Sequence, residues 1–157
     1  RMNLEEEFLR ESNAIEKEYS DMALEDAKAA WSYARDNGEK IDLHYILEIH
    51  NILMKRLNPK IAGRIREVDL WVGHEKCLEP KQIYPSLYDW CFGMNDNPVD
   101  EEVIKQKHIR FLKIHPFEDG NGRTGRILMN IQRLNLGYPI KVIHIGKEQQ
   151  EYYGWFK

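Results

Sequence analysis

Cysteine is scarce in this 157-residue chain: Cys77 and Cys91 are the only two, without CxxC spacing. A disulfide scaffold and a cysteine zinc site are therefore not expected, and the two thiols read as those of a reducing compartment. No apolar run approaches the roughly 18 residues that a membrane span needs. The N-terminus is acidic, not basic and then apolar, so no export signal or membrane partner is expected and the cytoplasm is the expected location. Excess positive charge is also missing. Lys plus Arg number 23 against 26 Asp plus Glu, a net charge of -3, which argues against nucleic acid as a partner. HExxH and GxxxxGK do not occur, and His108 and His115 lie seven apart. A metal hydrolase and a P-loop enzyme thus lack their signatures. Internal repeats and low-complexity segments are absent as well. Arg1 ahead of Met2, and an end inside the aromatic stretch Trp155 to Phe156, read as cut edges of a longer sequence.

What is present is mostly helical periodicity, with proline and glycine confined to a few gaps. The hydrophobic content of 42% suits one compact domain. A first helical region spans Leu4 to Arg35 with a break near Ser20, and Asp36 to Gly38 stop it. Asp42 is placed to cap the next helix, whose Leu43, Ile46, Leu47, His50, Leu53, Met54 and Leu57 share a face. Residues 61–79 change character: Ile65, Val68, Leu70, Trp71 and Val72, then Gly73 and His74, then Cys77 and Leu78, predict a hairpin. Helix resumes after Pro80 or Pro85 to about Met94, and Asn95 to Pro98 form a loop. Asp100 caps a helix to Ile114, another runs from Gly122 to Leu136 with Gly137 as its stop, and the last starts near Lys147.

Between two of these helices lies His-Pro-Phe-Glu-Asp-Gly-Asn-Gly-Arg-Thr-Gly-Arg, residues 115 to 126. A helix starting here leaves its first N–H groups unpartnered and its dipole favours anions, so Gly120, Asn121 and Gly122 can wrap main-chain donors around a phosphate. The two glycines keep side chains out of the way. Arg123 and Arg126, three apart, are placed to grip one polyphosphate. Asp119 offers a hard oxygen beside the phosphates, the usual setting for magnesium. Pro116 stops the preceding helix, which puts His115 at the mouth of the phosphate site, where a neutral imidazole can take a proton from an attacking hydroxyl. Phe117 points inward as an anchor.

This stretch resembles the Fic family motif HPFx(D/E)GNGRxxR at every specified position. The similarity extends over about residues 40 to 156, with Gly63 and Arg64 ahead of the hairpin and Tyr152 and Tyr153 after the motif. The resemblance implies an all-α fold, a Fic-type helical domain with a small β-hairpin flap. It divides the chain into a helical region at 1–38 that carries a regulatory motif and a catalytic core at 39–157. It also implies transfer of AMP from Mg2+-bound ATP to a Ser, Thr or Tyr hydroxyl of a target protein, or of the chain itself. In that scheme His115 is the base and Asp119 the magnesium ligand. Gly120, Asn121 and Gly122 hold the α-phosphate, Arg123 and Arg126 the outer phosphates, and Tyr152 and Tyr153 the nucleotide. Relatives that transfer a phosphate depart from the motif at the second glycine, which here is present as Gly122. Others use a different nucleotide with the same motif, so ATP follows the family majority. The oligomeric state is open.

Ser12 and Glu16 are four apart and share a helix face. They resemble the family's inhibitory motif, in which a glutamate pairs with the second motif arginine, here Arg126, and keeps the γ-phosphate out. Lys17 stands where that motif has glycine or asparagine. A glutamate at that place also implies a water held against an AMP-modified protein for the reverse reaction. Around the hairpin, Val68, Leu70, Trp71, Val72 and Gly73 offer an edge to which an extended target segment can add as a strand. Trp71 fits a packed core equally well. A rival reading of the whole chain is a helical interaction module without catalysis, which nucleotide transfer would separate from an enzyme.

Overall fold

The computed structural model describes residues 3–96 and 100–157. Among these, α1 (Leu4–Ile15), α2 (Asp21–Asp36), α3 (Leu43–Met54), α4 (Pro80–Asp96), α5 (Glu101–Ile114), α6 (Asn121–Asn135) and α7 (Lys147–Gly154) are joined by one exposed antiparallel hairpin, β1 (Trp71–Val72) and β2 (Glu75–Lys76), between α3 and α4. The chain is therefore all-α with a small hairpin, as its periodicity predicts. No described helix is long and apolar enough to cross a membrane, and Cys77 and Cys91 form no disulfide.

Local chemistry sets the helix starts. The side chains of Asn3, Ser20, Asp42 and Asp100 accept from the N–H groups of Glu6, Ala23, Tyr45 and Val103, which satisfies donors that would otherwise have no partner. Ser20 is the break expected in the first helical region. Pro80 occupies the first position of α4, where its missing N–H costs nothing, and the helix runs on through Pro85. It passes Met94 to Asp96; the remainder of the loop expected there, like Arg1 and Met2, lies outside the described residues.

Two helices end in the same way. At the end of α6, Gly137 at φ +86° lets its own N–H reach Leu134 O at 3.0 Å and the Tyr138 N–H reach Arg133 O at 2.8 Å. At the end of α1, Lys17 does the same at φ 58°, with Lys17 N–H on Ala14 O and Glu18 N–H on Asn13 O, both at 2.9 Å. This double-bonded stop requires a left-handed residue, which glycine supplies without strain. The lysine in place of the motif's glycine or asparagine keeps the conformation at a steric cost.

The core joins elements from distant parts of the chain. Phe8 and Leu9 of α1, Trp31 of α2, Ile46, Ile49 and Leu53 of α3, Trp90 of α4, Phe111 of α5 and Ile127 and Leu128 of α6 form one buried cluster. Phe8 meets Trp31 edge to face at 5.4 Å. α2 packs against α3 and buries Ala23, Ala27, Ala30 and Ala34, small side chains that let helices approach closely. α6 is buried from Arg123 through Arg133 although its sequence is polar. Some of its polar groups find partners: Asn130 exchanges two hydrogen bonds with the Lys141 main chain, and Arg133 binds Pro139 O and Glu101, whereas Arg123 Nε, Thr124 Oγ1 and Gln132 Oε1 are buried without one. A second cluster joins Ile15 at the end of α1 to Ile104, Met129, Ile143 and Tyr152.

The C-terminal segment also holds α1 by charge. His144 lies between Glu7 of α1, with Nε2 to Oε1 at 2.6 Å, and Glu148 of α7, with Nδ1 to Oε2 at 2.9 Å. The bonds to Glu7 and then Glu148 raise the His144 pKa above its ordinary value. A folded-state pKa above the unfolded one means that this clasp contributes fully below the unfolded value and fades as pH rises through the folded value.

Two outcomes follow from these contacts. Replacing Lys17 by glycine relieves the left-handed strain and raises stability by about 1 kcal/mol, read as a higher denaturation midpoint. Raising the pH from about 6 to about 8 lowers the amide protection factors of the first two turns of α1, taken relative to intrinsic exchange at each pH, and His144→Gln removes that drop.

Candidate active site

The residues of the 115–126 stretch are built onto the facing ends of α5 and α6. Helix α5 ends at His115, whose φ of 52° is left-handed. Pro116 follows, so the chain turns sharply away and carries the imidazole out of the helix. Burial, and then the Arg66 guanidinium, lower the His115 pKa, while the Leu112 carbonyl and Asp119 act the other way. The net effect favours the neutral imidazole at pH 7, the form that accepts a proton.

Phe117 is fully buried, and its ring stacks on His50 at 3.7 Å with 8° between the planes. His50 accepts from the Gly63 N–H at Nδ1, 3.0 Å, so Nε2 carries the proton that it donates to Asp119 O at 2.8 Å. Burial lowers the pKa of this ring to about 4, which keeps it neutral. Asn121 closes the loop: its Oδ1 accepts from the Phe117 N–H at 2.9 Å and its Nδ2 donates to Phe117 O at 2.8 Å. The Asn121 side chain is thus committed to the loop, and only its main chain is available to a ligand.

Gly120 precedes α6 at φ +85° and offers no side-chain cap. The first bond inside α6 is Thr124 N–H to Gly120 O, so the N–H groups of Asn121, Gly122 and Arg123 stand ahead of the hydrogen-bond ladder. A Cβ on Gly120 would lie 3.0 Å from Met54 Sδ, and one on Gly122 would lie 2.8 Å from Glu16 Oε2. The glycine at 120 thus serves packing and a positive φ. The one at 122 lets a carboxylate come down onto the helix start.

That carboxylate comes from α1. Glu16 Oε2 accepts from Arg126 Nη2 at 2.8 Å, while Arg126 Nε donates to Ser12 Oγ at 2.8 Å and Nη2 to Ser12 O at 3.1 Å. Arg126 is 2% exposed and Glu16 is partly open to solvent. Charge-assisted bonds of this length are the strong class. Ser12, Glu16 and Arg126, read from two ends of the sequence, meet at one point. Arg123 does not share that point: its guanidinium lies against Met54 Sδ at 3.3 Å, and its Nε has no partner.

Tyr152 and Tyr153 separate. Tyr152 is buried, and its hydroxyl accepts from Arg126 Nη1 at 3.3 Å and meets His108 Nε2 at 2.7 Å. His108 Nδ1 faces Gly125 O at 3.2 Å, an acceptor only, so Nδ1 bears the proton and Nε2 accepts from the tyrosine. Burial, and then the Arg126 charge, push the His108 pKa down to about 3. Tyr153 is 40% exposed, with its hydroxyl bonded to Gln149.

Trp71 and Val72 are each 59% exposed on the hairpin, which rules out the core placement for Trp71. Val68 is also exposed, and Gly73 turns the hairpin at φ +62°. Leu70 accepts from the Cys77 N–H at 2.9 Å, continuing the ladder beyond the two-residue strands.

Asp119 is exposed, and its Oδ1 accepts from the Gly120 N–H at 2.8 Å. No group of three His, Cys, Asp or Glu converges as a metal cage among the described residues. A single carboxylate beside the unpaired N–H groups at the start of α6 fits a magnesium ion that would arrive on a ligand's oxygens and keep its waters.

Sequence reasoning passed over three residues that shape this site. His50 sits in the apolar stripe of α3 and reads there as a core position, and His108 in α5 enters only through its spacing from His115. Arg66 lies in a stretch without periodicity. A buried, polar residue on an apolar face is the one signal that could have singled out the histidines.

The model of the Fic/DOC family matches residues 40–132. Protein adenylyltransferase fic-1 of Caenorhabditis elegans is 31% identical over 121 residues, covering 73% of this chain and 23% of its own length. Protein adenylyltransferase Fic of Nematostella vectensis is 30% identical over 121 residues, covering 73% and 28%. The chain thus spans about a quarter of the length of these curated relatives. A solved structure of C. elegans Fic-1 superposes with a TM-score of 0.77 at 24% identity, covering 94% of this chain and 52% of that one. A Fic domain containing signaling protein of Bacteroides thetaiotaomicron does so with 0.77 at 20%, covering 96% and 68%.

Replacing Tyr152 by phenylalanine leaves His108 Nε2 and one Arg126 N–H buried without a partner. The expected loss is about 1–3 kcal/mol in chemical denaturation.

Proposed function

The chain belongs to the Fic/DOC family, and on that premise we propose that it transfers AMP from ATP to a hydroxyl of a protein, under restraint from Glu16. The observation that carries this reading is the Ser12–Glu16–Arg126 contact over the open start of α6. It pairs a basic phosphate cradle with an acid that competes for it.

The α-phosphate would sit on the main-chain N–H groups at Asn121 and Gly122, drawn there by unpaired donors and the helix dipole. Asp119 would hold a magnesium ion brought with the nucleotide, which spreads phosphate charge when bound. The target hydroxyl attacks the α-phosphorus as His115 takes its proton. A new P–O bond forms, the bond to the bridging oxygen breaks, and pyrophosphate leaves with that electron pair. Arg126 can bind an outer phosphate only by exchanging Glu16 for it, which makes Glu16 a brake on productive binding. Glu16 would also orient a water for removal of AMP, in which the water oxygen bonds to phosphorus, the target oxygen leaves and takes a proton, and AMP is released. The exposed edge at Val68 to Gly73 suits main-chain pairing with an extended target segment, which sets position without demanding a particular sequence.

Incubation with ATP labelled at the α or γ position, using wild type, His115→Ala and Glu16→Gly, tests the reading. Protein-bound label is expected from the α position only, lost in His115→Ala and raised about 10-fold or more in Glu16→Gly. Label retained from the γ position would indicate phosphate transfer. Equal labelling in wild type and Glu16→Gly would remove the brake from the scheme.

A further inference from the structure

Arg66 is a second buried guanidinium, 2% exposed, and its situation differs from that of Arg126. Its side-chain hydrogen bonds go to main-chain carbonyls and not to an acid. Nε donates to His115 O at 2.7 Å, Nη1 to Val68 O at 2.8 Å, and Nη2 to Leu78 O and, at 3.5 Å, to Ile114 O. Its own N–H donates to Pro116 O at 2.9 Å. A desolvated cation with no carboxylate bonded to it is costly, and Asp69 acts on Arg66 only through space. The cost is offset here because Ile114 and His115 are the last carbonyls of α5, where unpaired oxygens and the negative end of the helix dipole gather.

The three tethered segments are the outgoing leg of the hairpin at Val68, its returning leg at Leu78, and the turn that carries His115. Only a planar fork with five N–H donors spans such a set in a fixed geometry; an ammonium group offers a point charge and three rotating donors. His115 needs such restraint, since a non-glycine residue in the left-handed region just before a proline holds its conformation only when its surroundings impose it.

We propose that Arg66 is a positioning residue for the transfer, fixing the target-docking hairpin against the His115 turn and holding His115 in its left-handed conformation. The inference rests on the reading of His115 as general base and of the hairpin as the docking edge. The charge has a second effect. Of the groups acting on the imidazole, Arg66 opposes protonation after burial has done so, whereas Asp119 and the Leu112 carbonyl favour it. Taking the charge away therefore raises the His115 pKa and moves the acid limb of the pH profile upward.

The test compares Arg66→Lys and Arg66→Met in the Glu16→Gly chain, with α-labelled ATP and self-modification as the assay. Both variants are expected to lose about 100-fold in kcat while KM for ATP stays within about twofold. Amides at 70–77 should exchange about 10-fold faster with those of α6 unchanged. The His115 imidazole, followed by NMR without nucleotide or metal, should titrate higher in Arg66→Met than in Arg66→Lys. A folded Arg66→Met with parental hairpin exchange and parental His115 titration overturns the proposal. The His115→Ala control separates the two readings. Full transfer in that variant sinks the general base, while hairpin exchange in the Arg66 variants still decides the clamp. If neither variant folds, the Arg66 Nε–H signal of the unaltered chain decides: slow exchange with water supports the clamp, and fast exchange overturns it.

Discussion

Arg126 is a permanent charge held away from water, and much of the arrangement follows from what it takes to keep it there. Three helices supply its surroundings: Ser12 of α1 and Glu16 at its end, Tyr152 of α7, and behind the tyrosine His108 of α5. Removing one partner of such an ion costs several kcal/mol, because the charge is left without compensation. α1 therefore cannot leave unless another anion takes the place of Glu16. In the proposed scheme that anion is an outer phosphate, so one ion serves as structural centre and as ligand site. Tyr152 and His108 hold the guanidinium from its protein side, whichever anion it faces.

The two non-glycine residues with positive φ among the described residues, Lys17 and His115, both border this region. Lys17 ends the helix that delivers Glu16, and His115 itself caps the end of α5. The strain is local and small beside the burial around it: His115 is fastened through its carbonyl by Arg66, and Glu16, next to Lys17, through its carboxylate by Arg126.

Most of the helical frame was legible in the sequence because it rests on local signals. Asp42 and Asp100 cap where expected, Ser20 breaks the first helical region, and Gly137 stops α6 with the left-handed turn that its type predicts. The 115–126 stretch was legible since its residues act within one turn and the helix start beside it. Pairings across the chain were legible only when a motif named both ends, as for Glu16 and Arg126. Arg66 left no trace: its partners are main-chain carbonyls at 68, 78, 114 and 115, and a carbonyl has no letter in a sequence. The same holds for the inward hydroxyl of Tyr152 and for the separation of Arg123 from Arg126, both decided by packing against Met54, His108 and α1.

The Asn121 side chain, bonded to both the N–H and the carbonyl of Phe117, turns residues 117–121 into a closed ring, and the His50 stack pins that ring to α3. A ring already rigid has little configurational freedom left to surrender when an anion settles on it. In the proposed scheme, association there would draw on contacts and displaced water instead of on freezing a loop, so its calorimetric signature would lack the large ordering entropy and heat-capacity change of a segment that folds around its ligand.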